Sequence, residues 1–235
     1  MQRDLVNFGA AALAALAIAA CNNANTNAGS ADTPVAADAK KTLNAPDPVV
    51  VAADRGRITG DSTTRTWVVI ASDFQCPYCR EWHATSYRQL IDEYVRSGKV
   101  RVAYLHFPLG QHRNAVHTAN ASMCASAQNK FWEYHDGLFE TQSQWAPMDN
   151  PRPVLDSLAR TVGVDMSSWT QCYESERMLP LIRADRDRAA AGGVQSTPSF
   201  LIGNQIVAGA VPFETMRPLI DSAVARDRQG SSTPR

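Results

Sequence analysis

The sequence predicts an α/β domain that carries an inserted helical subdomain, and three observations support that reading. Residues 67–71, Trp67-Val68-Val69-Ile70-Ala71, form a continuous apolar run that reads as a strand covered on both faces, with a helical pattern and a second strand directly after it. Near the other end, Gly203-Asn204 stands between two short apolar runs, the mark of a two-residue hairpin. Between these parts, residues 111–191 follow helical periodicity with short breaks.

Ahead of the buried strand, residues 49–59 read as an added edge strand or hairpin. After it, Tyr78, Trp82, Leu90, Ile91, Tyr94 and Val95 recur at helical spacing and stop at Ser97-Gly98. Residues 100–107 alternate and end at Pro108, completing a strand–helix–strand unit. In the insertion, Ala115, Ala119, Met123 and Ala127 share a stripe, and Phe131, Trp132, His135, Leu138 and Phe139 follow on a second. A break from Pro147 to Pro153 precedes an apolar face ended by Gly163, a short segment at 169–173 and a long helix closed by Gly192-Gly193. These stripes read as core packing rather than a cofactor pocket. Phe200-Leu201-Ile202 and Gln205-Ile206-Val207 then make the hairpin, and a helix over 213–225 covers it. Pro218 inside that pattern predicts a kink or a delayed start.

Residues 1–21 read as a lipoprotein-type export signal. Arg3 gives a weakly basic start, and the Ala-rich apolar run at 8–20 falls short of the roughly 20 residues a permanent membrane span needs. Ile18-Ala19-Ala20-Cys21 resembles a bacterial lipobox, whose cysteine is lipidated and becomes the mature N-terminus; the alternative is ordinary cleavage beside an unmodified Cys21. Residues 22–46 are too polar to bury a core and read as a flexible tether, and residues 228–235 as a disordered tail. One domain remains, divided into 47–110, the insertion 111–191, and 192–227. The balanced formal charge of the whole chain suggests neither a nucleic-acid surface nor a polybasic membrane patch. Arg183, Arg186 and Arg188, alternating with Asp185 and Asp187, read as a solvated helix face.

Chemistry concentrates at Cys76-Pro77-Tyr78-Cys79. Cys76 falls at a helix N-terminus with Pro77 in the first helical position, where orphan backbone N–H groups and the helix dipole favour a thiolate. Cys79, three residues on, lies one turn along the same face, within reach of a disulfide held on Cys76. A zinc site would need a second ligand pair and haem attachment a histidine at position 80, which is Arg80. His83 reads as a solvated surface residue. A purely structural disulfide is the other reading, but loops and strand ends suit one better than a helix start, so a redox pair is preferred, with no metal or organic cofactor required. Of the five cysteines, lipidation of Cys21 leaves an even set, in which Cys124 bridges Cys172; the alternative is two separate buried thiols.

Taken together, the dithiol after a buried strand, the helical insertion, and the stretch Gly193-Val194-Gln195-Ser196-Thr197-Pro198-Ser199-Phe200 before the hairpin resemble DsbA-like thiol–disulfide oxidoreductases of the thioredoxin superfamily. Asp73-Phe74-Gln75, Phe107-Pro108-Leu109 and Lys130-Phe131-Trp132-Glu133-Tyr134-His135 add to the likeness. The resemblance implies a thioredoxin fold, with Pro198 in the cis form beside Cys76 and the Thr197 backbone available to an extended substrate peptide. It implies attack by a substrate thiolate at an exposed Cys76 sulfur, with Cys79 as the resolving thiol and Tyr78 tuning the pair. Asp73 reads as a helix N-cap or a proton-handling neighbour. Expected partners are exported polypeptides and a membrane protein that recycles the dithiol. The expected state is a monomer at the periplasmic or cell-envelope face, tethered through Cys21. Oxidase action is preferred to isomerase or reductase action; the alternative outside catalysis is a peptide-binding module.

Overall fold

In a computed structural model that describes residues 47–231, five strands form one mixed sheet in the order β1-β3-β2-β4-β5. The expectations for residues 1–46, Cys21 and the tether included, lie outside the described residues. β2 (Trp67–Ser72) is central, parallel to β3 (Arg101–His106) and antiparallel to β4 (Ser199–Ile202), so that Ile70 pairs with Tyr104 on one side and Phe200 on the other. Val68 and Ile70 are buried while Trp67 and Val69 are half-buried, so the first part of β2 is covered fully on one face only. β5 (Gln205–Ala208) returns along β4 through Gly203-Asn204, with Gly203 at φ +61° supplying the left-handed turn a side chain resists.

The N-terminal expectation is corrected. Residues 48–56 form helix α1 (Pro48–Gly56), and only the two residues of β1 (Ile58–Thr59) pair with β3. Val49-Val50-Val51 has strand propensity, but local capping and packing outweigh it. The Asp47 side chain accepts the Val49 N–H at 2.8 Å, Pro48 opens the helix, and the Ser126 hydroxyl donates to the Ala53 carbonyl at 2.6 Å.

The helix after β2, α2, begins as Pro77–Trp82 and continues to residue 95 through two π-helical turns, His83–Tyr87 and Ile91–Val95. A strict 3.6-residue period would turn Tyr87 away from Trp82, five residues earlier. The wider π turn returns it to the buried side, ring centroids 6.0 Å apart. The insertion comprises α3 (Ala115–Ser126), α4 (Phe131–Glu140), α5 (Gln142–Trp145), α6 (Arg152–Thr161), α7 (Met166–Glu174) and α8 (Leu179–Ala191). Trp145, Trp169, Tyr134 and Phe131 are fully buried among these helices. Cys124 of α3 and Cys172 of α7 are disulfide-bonded, with Cα atoms 5.7 Å apart.

α8 is not a wholly solvated face. Asp185 is completely buried, where it meets the Arg57 guanidinium and accepts the His106 N–H at 3.3 Å. Arg57, itself buried, also donates to the Tyr104 carbonyl at 3.1 Å. Charge alternation hides this because one residue of the row points inward to meet an arginine 128 positions away. The last helix, α9 (Phe213–Ser231), starts on schedule despite Pro218 and runs four residues into the stretch expected to be a disordered tail. Among the described residues, no helix is long and apolar enough to cross a membrane.

Candidate active site

The turn from β2 into α2 is built by side chains that bond backbone. Asp73 is its hub: Oδ1 accepts the Gln75 N–H at 2.8 Å, while Oδ2 accepts the Leu109 N–H at 2.9 Å and lies 2.7 Å from His112 Nδ1. Asp73 is therefore not the N-cap expected of it; Cys76 holds that position with an extended backbone and no side-chain cap bond. Burial pushes the Asp73 carboxyl pKa up even against these hydrogen bonds. Gln142 of α5 donates to the Phe74 carbonyl at 2.6 Å and the Cys76 carbonyl at 3.0 Å. Gln75 accepts the Asn114 N–H at 2.7 Å and donates to the Ala146 carbonyl at 3.0 Å. Gln142, and the Asn114 N–H that Gln75 engages, carried no sequence signal, because such a tie exists only once the chain has folded back.

Cys76 and Cys79 are both free thiols, and both are buried. Cys76 is 3% exposed, which corrects the expectation of an open sulfur: its side chain turns into the cleft beside Thr197 and donates to the Thr197 carbonyl, Sγ···O 3.4 Å. Its pKa is lowered to about 6, chiefly by the hydrogen bond from Cys79 and also by Thr197 and the N–H groups of Cys79 and Tyr78, against the opposing effect of burial. Cys79 is pushed the other way, first by burial and then by the charge and hydrogen bond of Cys76. The Asp73 N–H and the Ser72 hydroxyl partly oppose that rise.

The Thr197-Pro198 bond is cis, and the Pro198 carbonyl accepts the Gly209 N–H at 2.7 Å, tying the turn to the end of the hairpin. Among the described residues, the buried Thr197 hydroxyl has no hydrogen-bond partner. Such a group gains a partner when Cys76 ionises. Tyr78 is 62% exposed and marks the open side of the dithiol. His83, expected in solvent, instead has a side chain only 14% exposed, stacked on Tyr87 and Phe139. The folded chain thus brings Cys76, Pro77, Tyr78, Cys79, Thr197 and Pro198 together from two separate segments. Cys124 and Cys172 lie apart from them in the insertion.

A family model described as Thioredoxin matches residues 52–222. The probable disulfide bond formation protein D of Bacillus anthracis is 26% identical over 167 residues, covering 68% of this chain and 74% of that protein. The Na(+)/H(+) antiporter NhaA 3 of Salinispora tropica is 30% identical over 181 residues, covering 77% of this chain but only 26% of the antiporter. Among solved structures, α-DsbA1 of Wolbachia pipientis is similar with a TM-score of 0.67 at 18% identity, covering 75% of this chain and 94% of that one. At that identity the likeness speaks for the fold, including the helical insertion.

Proposed function

The chain belongs to the thioredoxin family as a DsbA-like thiol–disulfide oxidoreductase, and from that premise we propose that it forms disulfides in exported proteins through Cys76 and Cys79. The observation that carries this reading is the opposed pair of thiols, Cys76 held near 6 and Cys79 raised, beside the unpartnered Thr197 hydroxyl. In the oxidised protein a substrate thiolate attacks Cys76 Sγ and breaks the Cys76–Cys79 bond. Cys79 departs with the electron pair and is protonated in its buried setting. A second substrate thiolate then attacks the substrate sulfur of the mixed disulfide, and Cys76 leaves as a thiolate. The substrate gains a disulfide, and the dithiol gains two electrons.

Stabilising the leaving thiolate favours the reduced enzyme and so makes the disulfide a stronger oxidant. The cis-Pro198 turn supports extended-peptide recognition beside Cys76, and exposed Tyr78 supplies a contact at the rim. Turnover requires a membrane partner that reoxidises the pair, and Cys21 provides the tether of a monomer at the cell envelope. No cofactor takes part.

The test is the equilibrium reduction potential of the Cys76/Cys79 couple, measured beside oxidation of a reduced substrate and reduction of insulin. The expected value lies well above about −270 mV and towards about −120 mV. A value near the lower figure, with insulin reduced and the reduced substrate left unoxidised, assigns the site to a reductase instead. Full activity in Cys76→Ser would remove the catalytic reading altogether.

A further inference from the structure

Beside the redox helix, α2 and α4 face each other across an open groove whose walls include His83, Tyr87, Trp132, Asp136 and Phe139. His83 Nε2 lies 3.0 Å from Asp136 Oδ1, and His135 Nδ1 lies 2.8 Å from the same oxygen. Across the three residues, one donor atom from each lies within 4.8 Å of the other two. The site is enclosed on one side only: the His135 side chain is 3% exposed and forms the floor, whereas the Asp136 side chain is 45% exposed and borders solvent.

Ring packing fixes both imidazoles. His83 stacks on Tyr87 at 5.0 Å and on Phe139 at 4.9 Å, and His135 meets Phe139 edge-on at 5.1 Å.

We propose that His83, His135 and Asp136 form a binding site for a divalent transition-metal ion of the zinc class, with one imidazole nitrogen from each histidine and one carboxylate oxygen as ligands. Two nitrogens and one oxygen suit zinc, and three protein ligands leave a fourth position, here facing the groove. Bonds of about 2.0–2.2 Å in tetrahedral array set donors about 3.4 Å apart. The two hydrogen-bonded separations must therefore widen by roughly half an ångström, which rotation of the half-exposed Asp136 side chain supplies. As the ion enters, the proton on each ligating nitrogen moves to the other ring nitrogen or to water. The ion replaces two hydrogen bonds with coordination and joins the helix that carries the dithiol to α4 of the insertion. The site stands whether or not the dithiol acts as an oxidase.

The test uses the full, untagged chain with Cys76 and Cys79 joined as a disulfide, verified by mass, so that the dithiol cannot take the metal. Zinc chloride is titrated in competition with a chromophoric chelator. The expected result is one zinc per chain, an affinity lowered at least about tenfold in His83→Ala and in Asp136→Asn, and a zinc-dependent rise in Tm that both variants lose. Cobalt(II) should give tetrahedral visible bands without a sulfur charge-transfer band. Circular dichroism without metal checks that each variant is folded; if Asp136→Asn is not, His83→Ala and the wild-type stoichiometry and cobalt spectrum decide. Failure of wild type to compete for zinc, wild-type affinity in the folded variants, or a sulfur charge-transfer band would overturn the proposal and leave the triad a hydrogen-bonded strut between helices.

Discussion

Cys76 and Cys79 stand three positions apart, yet their surroundings push their thiols in opposite directions, and this divergence can be measured in the reduced protein. The alkylation rate of Cys76 should rise with pH about a midpoint near 6, while Cys79 stays unmodified through neutrality. Thr197→Val removes the buried hydroxyl without removing the carbonyl beside the sulfur, so the midpoint should climb by about one unit, the worth of one lost charge-assisted hydrogen bond. An unchanged midpoint would show that the hydroxyl takes no part. Stability follows the same titration. An unfolded cysteine ionises near about 8.5. The lowered folded value of Cys76 therefore contributes stability that is fully present above that pH and is lost as pH falls through about 6. Cys79, raised on folding, works against stability only once unfolded thiols begin to ionise. Urea unfolding of the reduced protein should thus show stability growing between pH 6 and 8.5, and Cys76→Ser should flatten that slope. Cys76, Pro77 and Cys79 were legible because a C-x-x-C pair after a buried strand carries its meaning locally. The hydroxyl's part was not, since burial without a partner exists only after Thr197 has been carried to the dithiol from 121 positions away.

Elements were readable where one strong period ran unopposed, and misread where a second influence overrode it. β2, β3, the hairpin and the inserted helices followed their patterns, but α1 begins with three valines and forms a helix because Asp47 caps it and α3 receives it. The π turns of α2 escaped detection because a five-residue step from Trp82 to Tyr87 breaks the period being sought. Contact between α1 and α3 makes a direct prediction. A Cβ at Gly56 would sit 2.4 Å from the backbone oxygen of Ser126, an atom that cannot swing aside. Gly56→Ala should therefore cost about 1–3 kcal/mol, despite the better helix propensity of alanine, and should lower Tm in a thermal melt. A gain in Tm would mean that the two helices separate easily. Gln142→Leu tests the strut from α5. It leaves the buried Phe74 carbonyl without its donor, at about 1–3 kcal/mol for a carbonyl left unpaired, while the Cys76 carbonyl keeps the Arg80 N–H at 3.2 Å, and should unfold the variant at lower urea.

At the scale of the whole molecule, the insertion divides the fold in sequence but supports it in space. Its helices separate β3 from β4 along the chain, while Gln142 reaches back to the turn that presents the dithiol, Gln75 of that turn accepts the Asn114 N–H, and Asp185 closes on Arg57 beneath β3. Composition and periodicity revealed the insertion as a block of helices but not these ties, which join polar residues with no shared motif. The Cys124–Cys172 bridge lies within that block and spans 48 positions. In the chain-entropy model a closed loop of that size restricts the unfolded chain enough to contribute about 4 kcal/mol. Replacing both cysteines by serine should therefore lower the free energy of unfolding by about that amount. The double variant should still keep the Cys76 alkylation midpoint near 6, because the bridge touches neither thiol nor the Thr197-Pro198 turn. Urea unfolding and thiol titration on one preparation separate the two effects. A midpoint that moved with the bridge would show that strain in the insertion is transmitted through α5 to the dithiol, whereas stability lost alone would confine the bridge to holding α3 against α7.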